Sequence, residues 1–345
     1  MKKNPLVSIL IPNYNYENTI AEAIESALNQ SYLKIEIIVL DNHSTDNSYK
    51  VAKKFRKYGV KVYRNKRNIG VSSHNLLLGL AKGKYIHILH SDDAIEPSFI
   101  EKCVSLMEEN PNVGVVVTER QEMDESSNLI DMAPPFYNSS CIIPAQSQRS
   151  VLLMASYYIP SETVYRREVL ERTGFYEVNI TNFMDWWLLY KCCCISDMGC
   201  INKPLCRYRI WRGSETNYMV SHMIMPLNGF LIRKKMLEYA RLENDTIMLS
   251  RAEEAIEKQA DLTVKLGIEV IRAGMLHAGR QYLSLAESYS KQILLSDLYQ
   301  AVDCYLKDGI LREKQEIDTY LMEKGLARKR NRSYNPPENY IPYND

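Results

Sequence analysis

Short apolar runs with a period of two alternate with stretches of helical spacing over the first third of the chain. Val7, Ile9 and Ile11 recur at every second position up to Pro12, the pattern of a strand. The next stretch carries Ile20, Ile24, Ala27 and Leu28 on one helical face, and Thr19 and Glu22 are spaced as a capping box. Residues 35–40 are continuously apolar, as in a buried strand. A polar loop follows at 41–48, with Asp46 suited to cap the next helix, and 60–63 reads as a short strand. After a turn through Asn68 and Gly70, Leu76, Leu77 and Leu80 mark a helix that Gly83 stops. Residues 85–89 form a strand that closes on His90-Ser91-Asp92-Asp93. A helix over about 98–109 and a buried strand at 113–117 complete the series.

Strands alternating with helices imply right-handed crossovers and a mainly parallel sheet. Such sheets bind ligands at the carboxyl ends of their strands, so the loops at Asn13, Asp41 and Asp92 are expected on one rim. The middle of the chain is less regular. Helical spacing returns at 150–156, at 167–173 before Gly174, and around Asp185, Trp186 and Trp187, ahead of a strand near 199–201. Beyond residue 217 the pattern is helical throughout: Ile256, Ala260, Val264, Ile268 and Ile271 open a series of amphipathic stretches. These changes predict an α/β domain over 1–216, a helical domain over 217–326, and a basic, Pro- and Tyr-rich, loosely ordered tail over 327–345.

Composition adds bounds. A chain of 345 residues with 46% apolar and 25% charged residues can build a sizeable core. A net charge of +1 gives no global field for nucleic acid, so no nucleic-acid partner is expected. The basic start leads directly into a strand rather than a secretory leader, and no run approaches the roughly 18 apolar residues of a membrane span. A cytoplasmic protein is expected, with at most peripheral contact at the inner face of the membrane through the basic run from Arg328 to Arg332. The eight cysteines suit neither a disulfide framework nor a zinc site; Cys192, Cys193 and Cys194 on one helix point in three directions.

The chemistry lies in the loop motifs and their order. Ser8-Ile9-Leu10-Ile11-Pro12-Asn13-Tyr14-Asn15 opens the chain, and Val39-Leu40-Asp41-Asn42-His43-Ser44-Thr45-Asp46 follows the second strand. Arg67-Asn68-Ile69-Gly70 precedes a helix with Ala81-Lys82-Gly83 at its end, and Leu89-His90-Ser91-Asp92-Asp93 ends the next strand. In this order and spacing the sequence resembles glycosyltransferase family 2, over about the first 215 residues. The resemblance implies the GT-A fold, a Rossmann-like nucleotide-binding sheet, and inverting sugar transfer from a nucleotide-sugar donor. Diphosphate charge grows as the glycosidic bond breaks, and carboxylates suit the hard cation, Mn²⁺ or Mg²⁺, that neutralises it. The resemblance then implies that one of the pair Asp92 and Asp93 ligates the metal and the other contacts the sugar or ribose, and Asp93 is taken as the metal ligand. Asp41 would accept hydrogen bonds from the base, with uracil favoured, and Pro12 and Tyr14 would line the same pocket. Asp185, after Gly174-Phe175-Tyr176-Glu177, resembles the family's catalytic base, which takes the acceptor's proton. The implied acceptor is a hydroxyl of a glycan, a lipid-linked carrier or a protein. The C-terminal helices are candidates for acceptor, partner or homodimer contacts.

The sequence departs from the family pattern at several of these positions. His90 stands where an acid is usual, His43 where Gly is common, and His74 where Arg is often found. Met184 replaces the acid before the base, and after Tyr208-Arg209, Trp211 occupies a His position. His74, if protonated, would partly replace the Arg. Arg209 and Arg212 are candidates for phosphate contact. Two other readings compete: a non-catalytic nucleotide-sugar-binding scaffold of the same fold, and a nucleotidyltransferase. The second lacks its Gly-rich, basic phosphate loop, because Pro12-Asn13-Tyr14-Asn15 is neither.

Overall fold

The computed structural model describes residues 4–130, 135–180, 183–211, 214–307, 316–326 and 334–344. They form two compact units. The first holds the described residues up to 152, those from 156 to 211, and 334–344; the second holds 153–155 and the described residues between 214 and 326. The first unit therefore closes at Trp211, a few residues before the boundary that the sequence suggests. The segment 334–344, expected as part of a loose tail, belongs to it. Residues 327–333, with the basic run, and Arg212 lie outside the described residues.

The first unit begins as its pattern predicts: β1 (Val7–Asn13), α1 (Ile20–Leu28), β2 (Ile35–Asp41), α2 (Ser48–Lys53), β3 (Lys61–Arg64), α3 (Ser72–Leu80) and β4 (Tyr85–Ile88). β5 (Ala94–Ile95), α4 (Phe99–Glu109) and β6 (Val113–Met123) follow. Then come β7 (Cys141–Ile143), α5 (Ala145–Met154), β8 (Thr163–Arg166), α6 (Arg167–Thr173), α7 (Met184–Ile195) and β9 (Asp197–Arg209). After the helices of the second unit, α8 (Glu215–Ser221), α9 (Ile224–Leu242), α10 (Thr246–Ser250), α11 (Ala252–Arg272), α12 (Leu276–Tyr289), α13 (Asp297–Lys307) and α14 (Glu316–Glu323), the chain ends in β10 (Ile341–Pro342).

The sheet order is β10-β7-β9-β6-β8-β4-β1-β2-β3, with β5 pairing on β9. The strands β3, β2, β1 and β4 run parallel, in a register that sets Asn13 beside Asp41. The sheet is mixed beyond them. β8 pairs antiparallel with both β4 and β6, while β6 and β9 are parallel. β8 has no amphipathic signature because all four of its residues are buried, including Arg166. That guanidinium is enclosed by the carbonyls of Val113 and Met107 and the Tyr85 hydroxyl, so a charged residue sits inside a strand that its pattern conceals.

The core of the sheet joins Val7, Ile9, Ile11, Val39 and Val116 to Ile20, Ile24, Phe99 and Met107 of the covering helices. α3 stops at Leu80, where Ala81 turns extended, so Gly83 lies beyond the helix and meets a close approach of backbone instead. A Cβ there would lie 2.5 Å from the Ser8 nitrogen and 2.6 Å from the Tyr85 oxygen. The expected capping box does not form: Glu22 turns instead to Arg209, and among the described residues the Thr19 hydroxyl has no partner. Leu76 is exposed, and Leu77 and Leu78 supply the buried face of α3. Trp186, Trp187, Cys192 and Cys193 are core residues, and all eight cysteines are free thiols.

The second unit is an all-helical body. α11 and α12 approach closely where Gly267 meets Tyr282 and Gly279 meets Ile271. Val264, Ile268, Leu283, Val302 and Leu321 fill its core. Among the described residues no helix is long and apolar enough to cross a membrane.

Candidate active site

Three loops leave the carboxyl ends of adjacent parallel strands on one rim, as alternation of strand and helix requires. The first follows β1, the second β2 and the third β4. Side chains tie them together. Ser91 Oγ donates to the Pro12 carbonyl at 2.7 Å, joining the third loop to the first. Asn13 Nδ2 donates to Asp41 Oδ1 at 2.7 Å, joining the first to the second. Tyr14 projects with 40% of its surface exposed, and Pro12 is partly exposed beside it.

Asp41 is fully enclosed. Its oxygens accept from Asn13, from the Ser44 backbone N–H at 3.1 Å and from Ser44 Oγ, and Arg64 Nε lies 3.1 Å from Oδ2. An aspartate with both oxygens engaged and no exposed surface is a fastener between loops, so the expected acceptance by Asp41 of hydrogen bonds from a base does not fit this arrangement. Asn42 performs the same service for the Asn68–Gly70 turn: it donates to Asn68 Oδ1 at 2.8 Å and accepts from the Ile69 N–H at 3.1 Å. His43 adopts φ 67°, the left-handed conformation that explains why glycine suits this position.

The third loop carries the acidic pair. Asp93 is 1% exposed; Ser161 Oγ donates to its Oδ2 at 2.6 Å and the Arg209 backbone N–H to its Oδ1 at 3.1 Å. Burial, and then the charge of Asp92, push its carboxyl up to about 7. Asp92 is only partly buried and accepts the Trp211 indole N–H at 3.3 Å on Oδ2. His90 Nδ1 lies 3.9 Å from Asp93 Oδ2. One ligand atom from each of His90, Asp92 and Asp93 falls within 4.8 Å of the others, a mixed nitrogen and oxygen set able to hold a divalent cation.

Arg209 is 3% exposed, and its guanidinium is consumed internally. It donates to the carbonyls of Asp92, Asp124 and Glu125, to Ser127 Oγ and to Glu22. This arginine braces the acidic loop from behind, which corrects the expectation that it reaches a donor phosphate. His74 is corrected as well. Burial, and then the charge of His90, push its imidazole down to about 4, so it is neutral near pH 7 and does not replace an arginine's charge.

Asp185 lies in the first turn of α7, after Phe183 in a left-handed conformation. Its Oδ1 accepts the Trp186 backbone N–H at 2.8 Å, and burial raises its carboxyl above the usual aspartate range. Asp185 and His74 both lie within electrostatic reach of the His90 imidazole. The carboxylate on α7 and the acidic loop after β4 thus share one electrostatic neighbourhood. Asn75 of α3 fixes the segment before α7, exchanging hydrogen bonds with the Tyr176 backbone at 2.8 and 3.1 Å.

This arrangement has relatives. The sequence profile described as Glycosyl transferase family 2 matches residues 8–174. An uncharacterized glycosyltransferase of Rickettsia prowazekii is 30% identical over 236 residues, covering 65% of this chain and 70% of the relative. The chain belongs to glycosyl transferase family 2. A chondroitin synthase of Escherichia coli is 29% identical over 221 residues, 63% of this chain; the match spans only 30% of that much longer relative. Among solved structures, S. aureus TarS 1-349 in complex with UDP-GlcNAc superposes with a TM-score of 0.55 at 17% identity, covering 89% of this chain and 93% of that one. The fold is therefore GT-A: a mixed, mostly parallel sheet flanked by helices, with a helical C-terminal region.

Within that family frame, two residues of the site had no signal in the sequence strong enough to find them. Ser161 sits in a single turn, Pro160–Glu162, without periodicity, yet its hydroxyl donates to Asp93 and accepts the His90 N–H at 3.0 Å. Trp211 is visible only as a departure at the family's His position. The structure gives that departure a function, since its indole hydrogen-bonds Asp92 and packs edge-on against Tyr16.

Proposed function

We propose that this chain is an inverting glycosyltransferase that moves a sugar from a uridine diphosphate donor to an acceptor hydroxyl, with Asp185 as the base. One observation carries the reading: a desolvated carboxylate on α7 and a cation-holding loop after β4 share the neighbourhood of His90. Inversion needs that division of labour. The acceptor oxygen attacks the anomeric carbon from one face, losing its proton to the base, while the diphosphate departs from the other. A raised carboxyl is the stronger base once ionised, which suits Asp185 to that proton.

The donor set of the loop fits a divalent cation, Mn²⁺ or Mg²⁺, which when bound neutralises charge growing on the departing diphosphate. Asp92 offers the more accessible carboxylate, and Asp93, enclosed by Ser161 and the Arg209 backbone, holds the loop in shape while keeping an acidic group at its base. Tyr14 offers a flat exposed face to the nucleobase, with Pro12 beside it. Asp41 and Arg209 serve by fixing the loops, and neutral His74 packs edge-on against Tyr176. Support for uridine comes from the fold-level likeness to a protein whose structure holds UDP-GlcNAc. The acceptor is proposed as a glycan, free or lipid- or protein-linked, in keeping with the polysaccharide synthase among the relatives.

The test is a thermal-shift and transfer assay with UDP, UDP-GlcNAc and other nucleotide sugars, with and without Mn²⁺. A ligand bound to the folded state raises its melting temperature. The expected result is a cation-dependent shift with a uridine nucleotide, lost in Asp92→Ala. Asp185→Asn should retain the shift and lose sugar transfer. No shift with any nucleotide would instead make the chain a scaffold of the same fold.

A further inference from the structure

We propose that His90 is itself a ligand of the cation in this site and turns its preference from Mg²⁺ toward transition ions that accept imidazole. This rests on the reading of the loop after β4 as the cation site. Two independent features of the loop support it.

The first is the position of the imidazole. His90 is partly exposed, and its Nδ1 stands 3.9 Å from Asp93 Oδ2 within a set whose donor atoms lie within 4.8 Å of one another. Its backbone is pinned, because Ser161 Oγ accepts the His90 N–H at 3.0 Å while donating to Asp93 Oδ2 at 2.6 Å. One buried hydroxyl therefore fixes the residue that carries the nitrogen and the carboxylate beside it. The second feature is Trp211. An indole nitrogen is a donor only and cannot coordinate a cation. Its hydrogen bond to Asp92 Oδ2 at 3.3 Å satisfies one oxygen of that carboxylate and orients the group. The end of β9 thus contributes a positioning group and no ligand. Among the described residues, the nitrogen donor of this cluster comes from the acidic loop itself.

The consequence is selectivity. Mg²⁺ takes oxygen ligands and water in a strict octahedron, whereas affinity of a site with imidazole rises from Mn²⁺ to Co²⁺. An aspartate at position 90 would make an all-oxygen set, so exchanging His90 for Asp should narrow the gap between Co²⁺ and Mg²⁺.

Calorimetric titration of the full chain with Mg²⁺, Mn²⁺ and Co²⁺, in the presence of UDP, tests this. The wild type is expected to bind Co²⁺ at least about tenfold more tightly than Mg²⁺, with Mn²⁺ between them. His90→Ala should lower Co²⁺ affinity far more than Mg²⁺ affinity, and His90→Asp should raise Mg²⁺ relative to Co²⁺. The visible absorption of bound Co²⁺ reports a nitrogen ligand directly, and should change in His90→Gln, a variant that keeps a side chain of similar reach. An unchanged Co²⁺ to Mg²⁺ ratio and an unchanged Co²⁺ spectrum in folded His90 variants, with binding abolished by Asp92→Ala, would overturn the role of His90 and leave the cation site standing. Absence of cation binding by the wild type would remove the site reading as well.

Discussion

At the residue scale the proposal turns on the ionisation of Asp185. An ordinary aspartate ionises near pH 3.9, and burial moves the Asp185 carboxyl upward in the folded chain. Because the base acts in its ionised form, the acid limb of the kcat/KM profile is expected above the ordinary aspartate range. The same shift has an opposite sign for stability. The folded state holds this proton more tightly than the unfolded state, so the carboxyl's contribution is fully present below the unfolded pKa. It is lost as pH rises through the folded value, leaving ionised Asp185 as a cost at neutral pH. Asp185→Asn should therefore lower kcat by about 10²–10⁴ and raise the melting temperature at pH 7, with the thermal gain fading as the pH falls into the ordinary aspartate range. A variant that keeps its transfer rate, or that melts lower at pH 7, would remove Asp185 from this role. The sequence singled out Asp92, Asp93 and Asp185 because they stand in ordered motifs that resemble the family's. It could not show that Asp41 and Arg209 face inward: which oxygen or guanidinium is already engaged depends on distant partners such as Asn13, 28 positions from Asp41, and Glu22, 187 positions from Arg209.

At the scale of elements, the parallel core was legible. Period-two and continuous apolar runs give β1, β2 and β4, and helical spacing gives α1, α4 and the helices of the second unit. The pieces without a pattern were not: β7 has three residues, β10 two, and β8 is buried over its whole length. A further unpatterned piece, a single turn, braces the acidic loop. The turn Pro160–Glu162 precedes β8 and is anchored by Glu162, buried against Arg120 at 2.9 Å, so that Ser161 meets both His90 and Asp93. Ser161→Ala should remove a donor from a buried carboxylate and an acceptor from a backbone N–H. The expected loss is about 1–3 kcal/mol of stability, together with a lower kcat/KM. Calorimetry alongside the transfer assay measures both. An unchanged melting temperature would mean that the turn does not hold the acidic loop.

At the scale of the whole molecule, the first unit is discontinuous: it is completed by chain that returns after the helical unit. β10 adds Ile341 and Pro342 to the edge of β7, opposite Ile142 and Cys141. Tyr334 exchanges backbone hydrogen bonds with Phe136 and Asn138 at 2.7 and 3.0 Å and packs its ring against Phe136, and the Tyr343 N–H donates to the Ser140 carbonyl at 3.1 Å. Composition alone suggested a loose tail, because a segment rich in Pro, Asn and Tyr has no periodicity; its order comes from the edge strand it covers. An uncovered β7 would present unpaired backbone groups, the usual template for edge-to-edge association. Deleting residues 327–345 should therefore lower the melting temperature, by about 2–4 °C for each kcal/mol lost, and increase aggregation on heating. β1, β2 and β4 are untouched by the deletion, so the uridine-nucleotide shift should persist in the part that remains folded. A synthetic peptide of residues 334–344, added in excess, should recover part of the lost stability by binding the folded state. If deletion leaves melting and aggregation unchanged, the returning segment is an appendage of the first unit and not part of its sheet's stability.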